Sequence, residues 1–352
     1  MDPPVVAQPK PYLVTLECGR AYLWCACGRS RRQPFCDGSH KDTGIEPRRF
    51  VAPRAEEALL CGCKHSRGAP FCDGAHTNLP GGSPLDDPDS PANRAIPLVT
   101  ETDGPRRWLD GGCFVVSPKS AASACRGNLR HRRIVGAELG ARHQTQFLLE
   151  AEGGRSPPVS VGASDAILLV TSGGGEVVIS GRAFPVQATD GVYLRPAETL
   201  ELVPRSGGSL EVFLLASPPA ALEWPAGTGD NFDGTLPQRV VAVDPGQRAA
   251  MGPRFFQILV DKRVGSRIVT QFIGHIPRSK AAPHRHLYEE TLIVLSGRGC
   301  MWTETRKAAV AAGDVIFLPR KQLHSLEATC AEGLSVAGVI CPGDNPSINY
   351  YD

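Results

Sequence analysis

The sequence predicts a mainly β protein built from three units, a small cysteine-rich unit followed by two larger β-domains. Three observations support this prediction. Seven of the 12 cysteines lie within the first 80 residues. A stretch rich in Pro, Gly, Asp and Ser follows at residues 79–94, and such a composition marks a boundary between units. After about residue 96 the chain consists of short apolar runs separated by Gly and Pro, and no long amphipathic helical pattern competes with them.

The overall charge argues against nucleic acid as a partner. Lys and Arg number 38 against 36 Asp and Glu, and the positive excess is spread along the chain. The apolar runs are too short to cross a bilayer, and the N-terminal residues do not resemble a signal peptide. We therefore expect a cytoplasmic protein that associates with neither nucleic acid nor membrane.

The first unit contains an internal repeat. Residues 25–40 and 61–76 match at 10 of 16 positions with an offset of 36. Each copy keeps three cysteines and one histidine, which are Cys25, Cys27, Cys36 and His40 in the first and Cys61, Cys63, Cys72 and His76 in the second. In a protein without a signal peptide, such a cluster indicates metal binding rather than disulfides. Thiolates with one imidazole suit either Zn²⁺ or an iron–sulfur cluster, and the spacing alone does not decide between them.

The pattern C-x-C-x2-S-x3-P-x-C-D-G-[SA]-H resembles the CDGSH iron–sulfur family, the family of mitoNEET. It occurs in full twice within residues 12–80. The resemblance implies that each motif binds one [2Fe–2S] cluster through its three cysteines and one histidine, so that the chain holds two clusters in an internal pseudo-dimer. A neutral imidazole ligand raises the cluster potential and can accept a proton, which suits electron transfer.

Two boundaries divide the chain. The cysteine-rich unit covers residues 1–80, and a polar linker covers residues 81–110. A second boundary near residues 227–237, where the sequence reads GTGDNFDGTLP, separates β-domains at residues 111–226 and 227–352.

The last domain carries the residues of a possible metal site. His284, His286 and Glu290 share parity, so on an extended segment their side chains project from one face. A predicted strand at residues 315–318 and a break at Pro319 lead to His324. Three imidazoles and one carboxylate would hold a divalent first-row metal with open positions for water or substrate.

These residues resemble the cupin family. His284-x-His286-x3-Glu290-x6-Gly297 matches its first motif, and Gly313-x5-Pro319-x4-His324 has the spacing of its second. The resemblance implies a double-stranded β-helix, or jelly-roll, barrel that binds one divalent transition metal, with Fe expected first and Mn, Ni and Zn as alternatives.

Residues 111–225 resemble a second, degenerate cupin. The three ligand positions of its first motif would be occupied by Ser160, Gly162 and Ala166, and no histidine lies between His143 and His275. We expect this domain to bind no metal and to complete a bicupin, an arrangement that also allows a homodimer through the barrels.

Three further residues are candidates for the pocket. Gln271 and His275 lie on one face of a predicted strand and would contact substrate if that face points inward. Tyr288 shares parity with the histidines and would offer a hydroxyl group. Together with Glu290, these residues form the predicted catalytic set.

Three functions fit this organisation. The first is an oxidoreductase or oxygenase in which the two clusters pass electrons to the cupin metal, which acts on a small organic substrate and is served by an electron-donor reductase. The second is a non-redox metallo-cupin, such as a lyase, decarboxylase or aminohydrolase. The third is a non-enzymatic redox or iron sensor. Iron in the cupin would favour the first.

Overall fold

The computed structural model describes residues 3–79, 85–100, 105–343 and 345–349, and the described chain is mainly β. Four strands build the cysteine-rich unit, in which β1 pairs with β4 and β2 pairs with β3, both antiparallel. These strands are β1 (Tyr12–Leu16), β2 (Ala21–Trp24), β3 (Arg48–Val51) and β4 (Glu56–Leu60). A short 3₁₀ helix at Ala75–Asn78 carries His76, the last residue of the second motif.

Most of the remaining strands form two barrels, as the sequence predicts. The first barrel is built from β8 (Ser123–Arg126), β9 (Leu129–Val135), β10 (Thr145–Glu152), β11 (Asp165–Ile179), β12 (Arg182–Gln187), β13 (Gly191–Leu194), β14 (Leu200–Pro204) and β15 (Ser209–Ser217). The second is built from β17 (Ala249–Met251), β18 (Arg254–Val260), β19 (Thr270–Ile276), β20 (Ser279–Ala281), β21 (Glu289–Ser296), β22 (Arg298–Trp302), β23 (Lys307–Ala311), β24 (Val315–Leu318), β25 (Ser325–Ala328) and β26 (Leu334–Cys341).

Each barrel borrows strands from the other part of the chain. Strands β6 (Arg106–Trp108) and β7 (Phe114–Val116) precede the first barrel in sequence, yet β7 pairs with β24 of the second. Conversely, β16 (Val240–Val241) pairs with β13 of the first barrel. These strand pairs therefore cross the predicted boundaries at residues 110/111 and 226/227.

An ion pair holds one of these crossings in place. Arg239, next to β16, donates to both carboxylate oxygens of Glu198 in the first barrel at 2.6 and 2.8 Å, and both side chains are buried. An apolar core shared by the two barrels includes Phe213 of the first, Phe317 of the second and Phe114 of the borrowed β7. Shared burial of this kind makes the two barrels one packing unit.

The predicted polar linker is not a free tether over its described part, residues 85–100. Strand β5 (Leu85–Asp86) pairs with β20, and the buried Lys280 donates to Asp86 at 2.6 Å. Helix α1 (Pro91–Ala95) follows, with Ser90 accepting a hydrogen bond from the amide of Asn93 as its N-cap. The segment is thus packed on the second barrel, because Lys280, the buried partner of Asp86, and β20, the partner of β5, both belong to that barrel.

None of the helices in the described chain has the length and apolarity that a membrane span requires.

Candidate metal centres

The two CDGSH-like repeats fold alike around their cysteines. In the first, the Ser30 hydroxyl donates to the carbonyl of Phe35 at 2.6 Å, and Asp37 accepts from the amides of Arg31 and Ser39. The second repeat makes the equivalent bonds. They run from Ser66 to Phe71 and from the amides of Arg67 and Ala75 to Asp73. The serine and aspartate that both repeats share therefore close the loop that carries the third cysteine and the histidine.

In each repeat the four predicted ligands lie as two close pairs. The Sγ atoms of Cys25 and Cys27 are 3.7 Å apart, and Cys36 Sγ lies 3.2 Å from His40 Nδ1. The corresponding distances in the second repeat are 3.5 Å between Cys61 and Cys63 and 3.4 Å between Cys72 and His76. The sequence-predicted ligands are thus brought together within each copy.

The second ligand set is the more deeply buried. His76 is 3% exposed, and burial lowers its pKa to about 4. The side chain of His40 is 19% exposed and lies 3.5 Å from the solvent-exposed Glu46. A hydrogen bond from Cys63 lowers the pKa of Cys61 to about 6, which favours a thiolate at that position.

Lys64, which directly follows Cys63 in the second motif, is a further functional candidate. It is buried, and its ammonium group donates to Gln33 Oε1 at 2.8 Å and to the Cys61 carbonyl at 3.1 Å. Gln33 in turn donates to Cys25 Sγ at 3.4 Å. Lys64 therefore joins the two cysteine sets. The sequence signal for this residue is the alignment of the two repeats, in which Lys64 takes the place of Gly28. Both residues have a left-handed φ, of 67° and 82°.

The second barrel brings three predicted ligands together. Ring nitrogens of His284, His286 and His324 lie within 4.8 Å of one another, and all three residues are buried. The backbones of His284 and His324 pair through two hydrogen bonds of 2.9 Å. Strand β24 ends at Leu318, and Pro319 begins the loop that delivers His324, as the sequence predicts.

The same kind of contact orients each of the three imidazoles. Nδ1 of His284 lies 2.8 Å from the carbonyl of Ala282, Nδ1 of His324 lies 2.9 Å from that of Gln322, and Nδ1 of His286 lies 3.2 Å from that of Ile348. A carbonyl only accepts, so each Nδ1 carries the proton and each Nε2 offers a lone pair. This tautomer leaves Nε2 free to bind a metal while Nδ1 is held by a carbonyl. Burial keeps the rings neutral, since it lowers the pKa of His324 to about 4 and that of the other two well below the usual value.

Glu290 stands beside this group. Its carboxylate lies 3.5 Å from His286 Nε2, and burial raises its pKa to about 8. A bound cation would replace the missing solvation and favour the ionised form. Glu290 is therefore placed to act as a fourth ligand.

The pocket next to the histidines is largely apolar. Its walls include Met251, Phe256, Phe272, Leu292 and Val336. The polar residues in the walls, apart from the four candidate ligands, are Arg254, His275 and Asn349. His275 stacks on Phe255 and lies 3.1 Å from the hydroxyl of Ser335. This arrangement admits a small organic molecule with a few polar groups.

Two predicted pocket residues lie elsewhere. Strand β19 turns Phe272 and Gly274 into the pocket, so Gln271 faces the other barrel, where it donates to the carbonyl of Leu168 at 3.2 Å. The condition that this face points inward is therefore not met at Gln271, although His275, which has the same parity, lines the pocket. Tyr288 stacks on His286 with a centroid distance of 4.7 Å, and it lines the groove toward Cys72 rather than the pocket.

The first barrel shows no comparable site in the described residues. Among the described residues of this barrel, no three candidate ligand side chains meet in one group. At the predicted degenerate positions, the Ser160 hydroxyl accepts from the amide of Gly162, and Ala166 is buried in the apolar core.

The second cysteine set packs against the second barrel. Asn345 donates from Nδ2 to the carbonyl of Asp73 at 2.7 Å, and Lys321 pairs with Glu57 at 2.6 Å. Cys72 and Tyr288 line one groove between the two units. No local pattern predicts this contact, because it joins residues more than 200 positions apart.

Comparison with known proteins supports both units. Residues 4–41 match the family model described as iron-binding zinc finger CDGSH type, and residues 275–338 match the cupin domain model. The CDGSH iron-sulfur domain-containing protein 3, mitochondrial, of Mus musculus is 55% identical over 51 residues, which are 14% of this chain and 37% of that protein. Its counterpart in Homo sapiens is 54% identical over 50 residues, 14% of this chain and 39% of that protein. The chain thus spans about two fifths of the length of these relatives.

Solved structures resemble the two barrels. Protein Ylba from E. coli has a TM-score of 0.52 at 15% identity, covering 69% of this chain and 96% of that one. Lactobacillus farciminis oxalate decarboxylase has a TM-score of 0.51 at 13% identity, covering 65% and 86%. Salicylate 1,2-dioxygenase from Pseudoaminobacter salicylatoxidans has a TM-score of 0.50 at 12% identity, covering 60% and 76%. At these identities the likeness shows the fold alone.

Proposed function

We propose that this chain is a metal-dependent oxidoreductase. It carries a CDGSH-type iron-binding domain at its N-terminus and a cupin domain in its C-terminal part. In this proposal the two cysteine–histidine sets hold [2Fe–2S] clusters that supply electrons to a mononuclear iron in the second barrel. The substrate is a small organic molecule bound in the pocket beside the three histidines.

The arrangement of the cysteine sets supports two-iron centres. Each set offers two pairs of donors, Cys–Cys and Cys–His, at 3.2 to 3.7 Å within the pair. One pair for each iron is the ligation that a [2Fe–2S] centre needs, and such a centre supplies electrons one at a time. Amides of Arg29 and Gly38 approach the sulfurs of Cys27 and Cys36 at 3.4 and 3.3 Å, and hydrogen bonds of this kind stabilise negative charge on the sulfur.

The geometry of the barrel site supports a redox-active metal. His284, His286 and His324 present neutral Nε2 atoms, and Glu290 adds a carboxylate, a donor set that suits iron and leaves positions open. A metal bound there would act as a Lewis acid and a one-electron acceptor. The apolar walls exclude water from this position, which strengthens every electrostatic interaction inside it.

The observation that carries the proposal is the contact between the second cysteine set and the wall of the metal pocket. The segment Asn345–Asn349 touches Asp73 with its first residue, and Asn349 lines the pocket. The buried set of His76 thus faces the barrel without any movement of the segment between the units. Electron supply within one chain needs such proximity, and a pure metallo-hydrolase does not.

The pocket and the surface favour particular partners. Arg254 is buried in the pocket wall and offers a guanidinium group to a carboxylate-bearing substrate. The names of the oxalate decarboxylase and the salicylate dioxygenase, which share the barrel fold, also point to carboxylates. Exposed Arg29, Arg31 and Arg32 surround the first motif and suit the docking of an acidic electron-donor reductase.

A non-redox metallo-cupin is the second candidate, because the barrel fold is also that of a decarboxylase. The two are separated by mixing chemically reduced protein with oxygenated buffer and a panel of small carboxylic acids. We expect the wild-type protein to reoxidise its clusters faster than His324→Ala protein when the right acid is present. Both proteins carry the same clusters with the same exposure to dioxygen, so the comparison isolates the barrel metal. Equal rates across the panel, with full wild-type turnover in cluster-free protein, would favour the second candidate.

A further inference from the structure

We propose that the segment Asn345–Asn349 couples the second cysteine–histidine set to the barrel metal, with Asn345 as the positioning residue and His286 as the receiving ligand. This inference rests on the proposed function and adds a route to it. It also makes the two cysteine sets unequal, with the first receiving electrons from outside and the second passing them on.

The segment is fixed to the second CDGSH motif by its first residues. The Asn345 amide donates to the carbonyl of Asp73, the residue that follows Cys72. Its carbonyl oxygen Oδ1 accepts from the amide and the hydroxyl of Ser347 at 3.0 and 2.9 Å, which shapes the turn. Ser347 packs so close to Gly74 that a Cβ at Gly74 would overlap the Ser347 hydroxyl oxygen.

At its other end the same segment orients a metal ligand. The carbonyl of Ile348 accepts from His286 Nδ1 at 3.2 Å. The carbonyls that face Nδ1 of His284 and of His324 come from residues only two positions away in their own segments. Of these three carbonyl contacts, the one made by His286 joins it to a distant part of the chain. The carbonyl partner of such a ligand tunes both its orientation and its basicity.

The first motif has no such contact within the described chain. Gly38 is the counterpart of Gly74, and a Cβ built on it meets nothing within 4 Å. His40 is partly exposed beside Glu46, whereas His76 is buried. Gln33 and Lys64 join the two sets by hydrogen bonds, so the contacts run from the first set to the second set and then to the barrel.

The coupling moves one electron and no atoms. The centre held by Cys61, Cys63, Cys72 and His76 is oxidised by one electron, and the metal held by the barrel histidines is reduced by one electron. No bond forms or breaks and no proton moves. The electron comes from an external one-electron donor, which is dithionite in the experiment below.

Two variants break the route at one point each. Asn345→Asp keeps the acceptor for Ser347 but removes the donor to Asp73. Gly74→Ala forces Ser347 away from the motif. Gly38→Ala is the matched control, because it places the same methyl group on the same left-handed backbone, at φ +95° against +83°, in open space. The cluster absorbance of each variant verifies that it is folded and loaded.

The first measurement is the rate of anaerobic electron transfer to the ferric barrel metal after rapid partial reduction, without any substrate. We expect Asn345→Asp and Gly74→Ala to slow this rate by about tenfold, the effect of about 1.4 kcal/mol on an activation barrier, and Gly38→Ala to leave it unchanged. The second measurement is the spin relaxation of the reduced second cluster with Co²⁺ in the barrel. It should weaken in Gly74→Ala and not in Gly38→Ala.

The outcomes separate the route from the function. Fast transfer in the wild-type protein that is equally fast in Asn345→Asp and Gly74→Ala would overturn the route and leave the proposed function standing. No transfer in the wild-type protein, with both kinds of centre loaded, would overturn the proposed function and the route together. Equal slowing by Gly38→Ala and Gly74→Ala would overturn the assignment of the second set as the one that passes electrons on.

Discussion

Replacement of Lys64 by methionine should lower the reduction potentials of both clusters. Its ammonium group is buried between the two cysteine sets and donates to the carbonyl of Cys61 and, through Gln33, reaches Cys25. Reduction adds one negative charge to a centre next to this cation. The cation stabilises the reduced state, and its removal therefore disfavours reduction.

The size of the effect follows from the position of the ammonium group. That group contacts the carbonyl of Cys61 at 3.1 Å, which places it near the sulfur of the same residue. For a separation of about 6 Å and an effective dielectric constant of about 20, two unit charges interact by about 3 kcal/mol. For a one-electron couple this corresponds to about 120 mV.

Anaerobic redox titration followed by visible absorbance measures the shift directly. Lys64→Arg keeps the charge and should stay close to wild type. Lys41→Met removes an exposed charge beside His40 and should shift the potentials far less, because solvent screens it. Unchanged potentials in Lys64→Met protein, with both clusters loaded, would refute the electrostatic argument.

Three further variants test the fold and the barrel site. His324→Ala should remove one metal per chain and leave cluster absorbance intact, because the two kinds of site share no ligand. Metal analysis and visible spectra measure both quantities, and loss of colour would contradict this prediction. Glu198→Gln removes the negative charge that pairs with the buried Arg239 and should lower the free energy of unfolding by about 3–5 kcal/mol, as measured by denaturant titration. A change below about 1 kcal/mol would mean that this ion pair does not hold β16 on the first barrel. Asp86→Asn weakens the contact with Lys280 and should cost about 2 kcal/mol, with faster proteolysis of residues 85–100, whereas unchanged proteolysis would show that the segment is held by other contacts.

The sequence predicts the parts of this molecule that local spacing encodes. The offset of 36 between the repeats identifies both cysteine sets, and the structure pairs Cys25 with Cys27 and Cys36 with His40. The short apolar runs correspond to strands; β24, for example, covers Val315–Leu318 as predicted. The spacing of His284, His286 and His324 is sufficient to predict a shared site, because neighbouring segments of a barrel bring such positions together.

Long-range contacts leave no comparable pattern. Strand parity alone does not say which face is inside, so Gln271 was equally compatible with the pocket and with the interface where it lies. The exchange of β7 and β16 between barrels depends on pairing partners about 200 and 50 residues away. The burial of Lys64 likewise follows from the packing of one repeat on the other.

The account depends most directly on the number and kind of metal centres in one chain. Low-temperature electron paramagnetic resonance of anaerobically purified, dithionite-reduced protein, integrated against metal content, measures both. We expect about five metal atoms per chain, four of them in two-iron centres with the spectrum of Cys₃His ligation, and one that disappears in His324→Ala protein. A colourless protein with stoichiometric zinc in the CDGSH motifs would contradict the account.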